Sequence, residues 1–211
     1  MGNPLRMDGP DCQAIPGIKM SELDSLSPAL FLDRDGVVNR EVGYLSKPEQ
    51  VEFMPGIFDL CRRAQALGYK LILVTNQSGI ARQLYTEQDF HLLMRWIDEQ
   101  FTKAGVRLSG YYFCPHHPEH GIGPYRKECP DRKPGPGMLL RAAREHHINL
   151  RQSILIGDRC SDIEAGAAAG VKSLILLAGT ESEACQRAPV HAVVAALSEA
   201  AETLRQPHPS F

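Results

Sequence analysis

At 211 residues the chain has the length of one domain with a full hydrophobic core. Its 43% hydrophobic and 23% charged content is that of an ordinary soluble protein, and a net charge of −2 leaves no footprint for nucleic acid or an anionic membrane. No apolar run approaches the ~20 residues of a membrane span, and six scattered cysteines (Cys12, Cys61, Cys114, Cys129, Cys160, Cys185) are not spaced as a disulfide framework, so a cytoplasmic protein is expected.

Residues 1–27 are rich in Gly, Pro, Asp and Ser and lack the apolar core of a signal peptide. They read as a loosely held extension, with an internal start available at Met20, ahead of one folded unit over 28–205. Residues 29–32, Ala-Leu-Phe-Leu, read as a buried strand of a parallel sheet. The strand runs directly into Asp33-Arg34-Asp35-Gly36. A polar loop follows over 40–52, in which Glu41-Val42-Gly43-Tyr44 either faces a substrate or is a solvated connection.

Pro55-Gly56 opens a helix with Ile57, Leu60, Ala64 and Leu67 at helical spacing, and Gly68 stops it. Residues 69–74 form a second apolar strand ending in Thr75-Asn76-Gln77-Ser78-Gly79. Thr86 caps a longer helix, with Asp89 placed for a capping box and an apolar stripe of Phe90, Leu93, Ile97, Phe101 and Ala104. Residues 110–113 read as a third strand. Pro136-Gly137 opens a helix to about 146, with Leu140 and Ala143 on its buried face. Residues 153–156 are a fourth strand ending in Gly157-Asp158-Arg159-Cys160-Ser161-Asp162, followed by a short helix over 163–169. Residues 171–177 are a fifth strand, closed by a Gly179-Thr180 turn. Residues 190–204 read as a helix, and the end beyond 206 frays. The alternation of strands and helices gives an α/β class, a doubly wound parallel sheet in three layers.

Polar clusters thus follow three strands, at Asp33/Asp35, Thr75/Asn76 and Asp158/Asp162, with the cationic pair Arg132-Lys133 before a helix. Ligands of such sheets bind at the carboxyl ends of the strands. Two adjacent acids need a cation to stay ionised together, and Mg2+ suits carboxylate oxygens. Asp33 is then metal ligand and nucleophile, and Asp35 a proton donor and acceptor. Asp158 completes the metal shell, Thr75 and Asn76 donate to phosphate oxygens, and Lys133 offsets charge in phosphoryl transfer. Each residue alone also fits a turn, cap or surface role; coincidence at three strand ends favours the joint reading.

The order Asp33-x-Asp35-Gly36, Thr75, Lys133, Asp158 with Asp162 resembles the haloacid dehalogenase superfamily of aspartate-nucleophile phosphatases. Thr75-Asn76-Gln77-Ser78-Gly79-Ile80-Ala81-Arg82, Cys114-Pro115-His116-His117-Pro118 and Arg132-Lys133-Pro134-x-Pro136-Gly137-Met138 are similar to a narrower group. That group is the D-glycero-D-manno-heptose 1,7-bisphosphate 7-phosphatases with the related histidinol-phosphatases, enzymes without a large cap domain. The resemblance implies a Mg2+ site from Asp33, the backbone carbonyl of Asp35, and Asp158. It also implies substrate contacts from Glu41, Val42, Gly43, Tyr44, Thr75, Asn76, Gln77, Ser78, Arg132, Lys133 and Arg159. The expected substrate is a small phosphorylated sugar of lipopolysaccharide-precursor synthesis, the expected state a monomer without nucleic-acid or membrane partners. A histidinol-phosphatase and a non-catalytic phosphate-binding scaffold are the alternatives. Gln83 departs from the glycine usual in the group.

Cys114-x-His116 followed by Cys129 has the residue types of a structural zinc loop over 114–131. In the group a fourth ligand, usually cysteine, lies two residues past Cys129; this chain has Asp131 there. Asp131, His117 or His120 would complete the set, or the loop is metal-free.

Overall fold

The computed structural model describes residues 26–178, 185 and 189–206. The expectations for the extension before residue 26, the Gly179-Thr180 turn and the end beyond 206 lie outside the described residues. Six parallel strands form one sheet: β1 (Ala29–Leu32), β2 (Lys70–Asn76), β3 (Gly110–Cys114), β4 (Ile154–Gly157), β5 (Ser173–Leu177) and β6 (Ala192–Val194). Their order is β3-β2-β1-β4-β5-β6, so β1 is flanked by β2 and β4. The chain winds outward from β1 through β2 to β3, then crosses back to β4 on the other side of β1 and goes on to β5 and β6. The crevice at such a switch point is where ligands sit in open α/β sheets.

The helices are α1 (Ile57–Ala66), the single turn α2 (Ser78–Ala81), α3 (Glu87–Lys103), α4 (Gly137–Glu145), α5 (Cys160–Ala169) and α6 (Leu197–Thr203). Alternation along the strands divides the core. Leu30, Leu32, Leu71 and Leu73 pack with residues of α1, α3 and α6, whereas Ala29, Phe31, Ile72 and Val74 pack with residues of α4 and α5. Every residue of β1 is fully buried, which is why its sequence is continuously apolar. No described helix is long and apolar enough to cross a membrane. At the start of α3 the expected box forms: Thr86 Oγ1 accepts from Asp89 N at 3.1 Å and Asp89 Oδ2 accepts from Thr86 N at 2.9 Å.

Three expectations need correction. Residues 190–204 are not one helix: Ala192–Val194 pairs with β5 as an edge strand before α6 begins. The β-branched Val193-Val194 and the open edge of β5 override the helical pattern. Leu140 is 37% exposed, because α4 turns Met138, Leu139 and Ala142 inward. Cys160 and Cys185, 25 residues apart, form a disulfide with Cα atoms 5.2 Å apart. The crossover between β5 and β6 brings together two cysteines that spacing alone does not pair.

Gln83, after α2, sits at φ 58°, the left-handed region. That conformation costs an L-residue roughly 1–2 kcal/mol, of which glycine loses part to unfolded-chain entropy. Gln83→Gly is therefore expected to stabilise the protein by about 0.5–1 kcal/mol. Thermal melting checks it, and a lower melting temperature would mean that the Gln83 side chain contributes more than its backbone costs.

Candidate active site

Asp33 is the first residue past β1, and its N–H continues the ladder to Ile156 O of β4 at 3.0 Å. The ladder therefore places it beside Gly157 and the Asp158 that follows. Gly36 turns the chain at φ +92°, and a Cβ there would lie 2.1 Å from Asp158 Oδ2. Only a glycine lets the β1 loop pass that close to the second acid. Asp162 stands in the first turn of α5. Carboxylate oxygens of Asp33, Asp158 and Asp162 all lie within 4.8 Å of one another.

A single buried ammonium joins this group. Lys133 Nζ is 2.8 Å from Asp33 Oδ1, 2.5 Å from Asp162 Oδ1 and 3.1 Å from Val74 O. Burial opposes its charge, but Asp162 and Asp33 together hold its pKa above the ordinary lysine value. Burial pushes the Asp33 carboxyl well up, Lys133 pulls it back, and Asp162 and Asp158 push it up again. Asp158 is pushed up to about 6 by burial and by Asp162, against Arg159 and Lys133. Its Oδ1 is buried without a hydrogen-bond partner. Three clustered carboxylates thus face one ammonium, and one of their oxygens lacks a donor. The donor set fits a hard divalent cation such as Mg2+.

Asp35 points elsewhere. The Arg34 fork donates to its Oδ1 through Nε at 3.0 Å and Nη2 at 2.8 Å, and Nη2 also reaches Oδ2 at 2.7 Å. Asn39 Nδ2 donates to Oδ1 at 3.0 Å and Gln77 Nε2 to Oδ2 at 3.1 Å. Arg34 is 1% exposed and lies over the Phe90 ring at 5.6 Å. Gln77 Nε2 also donates to Thr75 Oγ1 at 2.8 Å, and Tyr85 OH donates to Gln77 Oε1 at 2.5 Å. Burial raises the Tyr85 phenol to about 12, so it remains a donor. Because Thr75 Oγ1 accepts from Gln77, its own proton is left to donate elsewhere.

A cavity of about 620 Å³ opens on this group. Of the residues the sequence singles out, Asp33, Asp35, Glu41, Gly43, Tyr44, Thr75, Asn76, Gln77, Ser78, Arg132, Lys133 and Arg159 line it. Val42 is not in the wall and is 51% exposed, because the Gly43 turn sends it outward. Asp158 lies behind the wall. Asn76 does not aim at the cavity alone: its amide bonds Lys133 N and O, both at 3.0 Å, and so holds the loop that presents Lys133. Arg132 donates to Ser78 Oγ and His116 O, both at 3.1 Å. Arg159 pairs with Glu41 at 3.4 Å. Arg82, Tyr85 and His117 also line the cavity; Arg82 and His117 lie in motifs that the sequence singles out, but none of the three was expected to meet the substrate. Arg34 was equally overlooked, although an arginine inside Asp-x-Asp beside a buried strand must find a carboxylate.

In the 114–131 loop, ligand atoms of Cys114, His116 and Cys129 lie within 4.8 Å of one another. Burial raises the Cys114 thiol to about 12. Asp131 is outside this group: its carboxylate pairs with Arg141 at 2.9 Å. The cation of Arg141 on α4 thus competes for the carboxylate that the sequence offered as a fourth ligand.

Comparison with known proteins fits this geometry. A HAD-hydrolase-like family model matches residues 131–200. The D-glycero-alpha-D-manno-heptose-1,7-bisphosphate 7-phosphatase of Burkholderia mallei is 51% identical over 149 residues, 71% of this chain and 79% of that one. The D-glycero-beta-D-manno-heptose-1,7-bisphosphate 7-phosphatase of Vibrio cholerae is 47% identical over 150 residues, 71% of this chain and 81% of that one. The crystal structure of D,D-heptose 1,7-bisphosphate phosphatase from B. bronchiseptica, complexed with magnesium and phosphate, superposes with a TM-score of 0.73. It is 28% identical and covers 83% of this chain and 96% of that one. The chain belongs to the heptose-1,7-bisphosphate 7-phosphatase family of HAD-like hydrolases and is a phosphoric monoester hydrolase.

Proposed function

We propose that the protein hydrolyses the 7-phosphate of D-glycero-D-manno-heptose 1,7-bisphosphate with Mg2+, through an aspartyl-phosphate on Asp33, in the cytoplasmic synthesis of lipopolysaccharide precursors. The observation that carries the chemistry is Asp33 beside Lys133 at 2.8 Å, within a carboxylate trio at the carboxyl edge of the sheet. The substrate rests on relatives 43–51% identical that carry this activity in their names. Asp33, Asp158 and the Asp35 carbonyl would hold Mg2+, with Asp162 beside them. The ion when bound neutralises charge on the transferring phosphoryl group.

Both hydrogen bonds that Asp33 accepts fall on Oδ1, from Lys133 Nζ and Arg34 N, each at 2.8 Å. Oδ2 keeps its lone pairs for attack on phosphorus. Lys133 stabilises the charge that builds on the phosphoryl oxygens, and Thr75 donates its free hydroxyl proton to one of them. Asp35 gives a proton to the departing sugar oxygen and later takes one from the water that cleaves the acyl phosphate. Arg132, Gln77, Ser78, Arg159 and the Glu41–Tyr44 loop hold the rest of the substrate. Arg132 suits an anionic second phosphate, because its planar fork grips two oxygens.

Phosphorus NMR of the product tests the position cleaved. The C7 phosphate signal should be replaced by inorganic phosphate while the anomeric phosphate stays; loss of the anomeric phosphate would overturn the assignment. Chelation of Mg2+ by EDTA is expected to slow release at least about 100-fold, and excess Mg2+ to restore it.

The same reading gives Cys114, His116 and Cys129 to a structural zinc ion that stiffens the 114–131 loop. Metal analysis is then expected to find about one zinc per chain. Cys129→Ser should lose it, whereas Asp131→Ala should keep it; equal zinc loss in both would restore Asp131 as a ligand.

A further inference from the structure

We propose that the Cys160–Cys185 disulfide is a thiol–disulfide exchange site through which small dithiols set the activity of the phosphatase. Cys160 is the first residue of α5 and stands between Asp158 and Asp162, two of the three clustered carboxylates. The backbone N–H of Arg159, its neighbour, bonds Asp162 Oδ2 at 3.0 Å. Cys185, on the connection from β5 to β6, is 4% exposed in the apolar cluster that includes Ile163 and Leu176. The crosslink therefore ties the acid-bearing turn of α5 to the far side of that connection. Among the described residues Cys61, Cys114 and Cys129 are in no disulfide and make no comparable link.

The two residues differ in access, Cys160 being half-buried and Cys185 buried. A dithiol thiolate attacks Sγ of Cys160, the S–S bond breaks, and Cys185 Sγ leaves as a thiolate that takes a proton from water. The second thiol of the reagent then attacks the mixed disulfide and releases Cys160. Two electrons pass from the dithiol, which ends as its own disulfide, to the protein. Glutathione disulfide drives the reverse exchange.

Opening the bond frees the first turn of α5. Asp162 holds Lys133 at 2.5 Å and the same ammonium holds Asp33 at 2.8 Å, so a shift of that turn reaches the nucleophile through two contacts. Displacements near 1 Å in such a site cost roughly 100-fold in rate, so even a partial loosening is measurable.

The inference rests on the phosphatase site and not on the choice of sugar. The test compares the wild-type protein before and after dithiothreitol, with heptose 1,7-bisphosphate and with p-nitrophenyl phosphate. Thiol titration in denaturant confirms whether two thiols appear, and thermal shift gives the Mg2+ concentration at half-maximal stabilisation. Reduction is expected to lower kcat/KM at least about fivefold and to raise the Mg2+ midpoint, both reversed by glutathione disulfide. Cys185→Ser is expected to match the reduced state and to ignore the reagent. Two thiols gained with kcat/KM and Mg2+ midpoint unchanged would overturn the proposal, and so would the absence of any gained thiol. Failure of the sugar assignment would show separately, as turnover of the aryl ester without turnover of the heptose ester.

Discussion

Asp33→Asn is expected to lower kcat at least about 10⁴-fold, or roughly 5.5 kcal/mol of barrier, while leaving the fold intact. An amide matches the carboxylate in size and still accepts the Lys133 and Arg34 hydrogen bonds on its oxygen, so the packing around this buried side chain survives. What it lacks is the anionic oxygen that attacks phosphorus. The loss belongs in kcat, because binding is shared with the cavity wall. Single-turnover assays with acid quench separate the two: wild-type protein should carry a labelled acyl phosphate that the variant cannot form. A variant retaining more than about one tenth of the wild-type kcat would exclude Asp33 as nucleophile.

Lys133→Met is expected to damage both stability and rate. Its side chain and those of Asp33 and Asp162 are 4%, 9% and 2% exposed, so solvent does not screen the group. Removing the cation leaves two buried carboxylates facing each other. Breaking a buried pair in this way costs about 3–5 kcal/mol, and at this chain length the melting temperature falls by about 6–20 °C. The sign with pH follows from the raised lysine pKa: its stabilisation is fully present below the ordinary lysine value near 10.4 and is lost only above that. The destabilisation should therefore persist at neutral pH. Loss of a charge-stabilising donor lowers kcat a further ~100- to 1,000-fold. Thermal melting with and without Mg2+ reads the first effect and initial rates the second. An unchanged melting temperature would mean that the acids are not held apart by Lys133.

The centre of the molecule was legible because it obeys short-range rules. An apolar run ending in Asp33-Arg34-Asp35-Gly36 needs only a buried strand and a turn, and the sheet delivers both. The cavity wall from Thr75 to Ser78 and the Arg132-Lys133 pair followed from strand ends meeting at one edge. What stayed hidden was the direction of side chains. Spacing placed Asp162 near Asp158 but did not show that it shares Lys133 with Asp33, which lies 100 residues from that lysine in the chain. Asn76 read as a phosphate donor, yet its amide is engaged by the backbone of residue 133. Val42 sat inside a correct loop and faces solvent. Asp131 had the right spacing for a metal ligand, but its carboxylate pairs with Arg141. The β6 strand and the Cys160–Cys185 bond depend on which elements end up adjacent, and local pattern carries no record of that.

Substrate discrimination tests most directly whether this site cleaves a heptose bisphosphate. Phosphate release with Mg2+ would be measured for both anomers of D-glycero-D-manno-heptose 1,7-bisphosphate, for fructose 1,6-bisphosphate and for histidinol phosphate. The kcat/KM for one heptose anomer is expected to lie at least about 100-fold above the non-heptose esters, or roughly 2.7 kcal/mol of discrimination. Comparable slow turnover of every ester, or a preference for histidinol phosphate, would contradict that expectation.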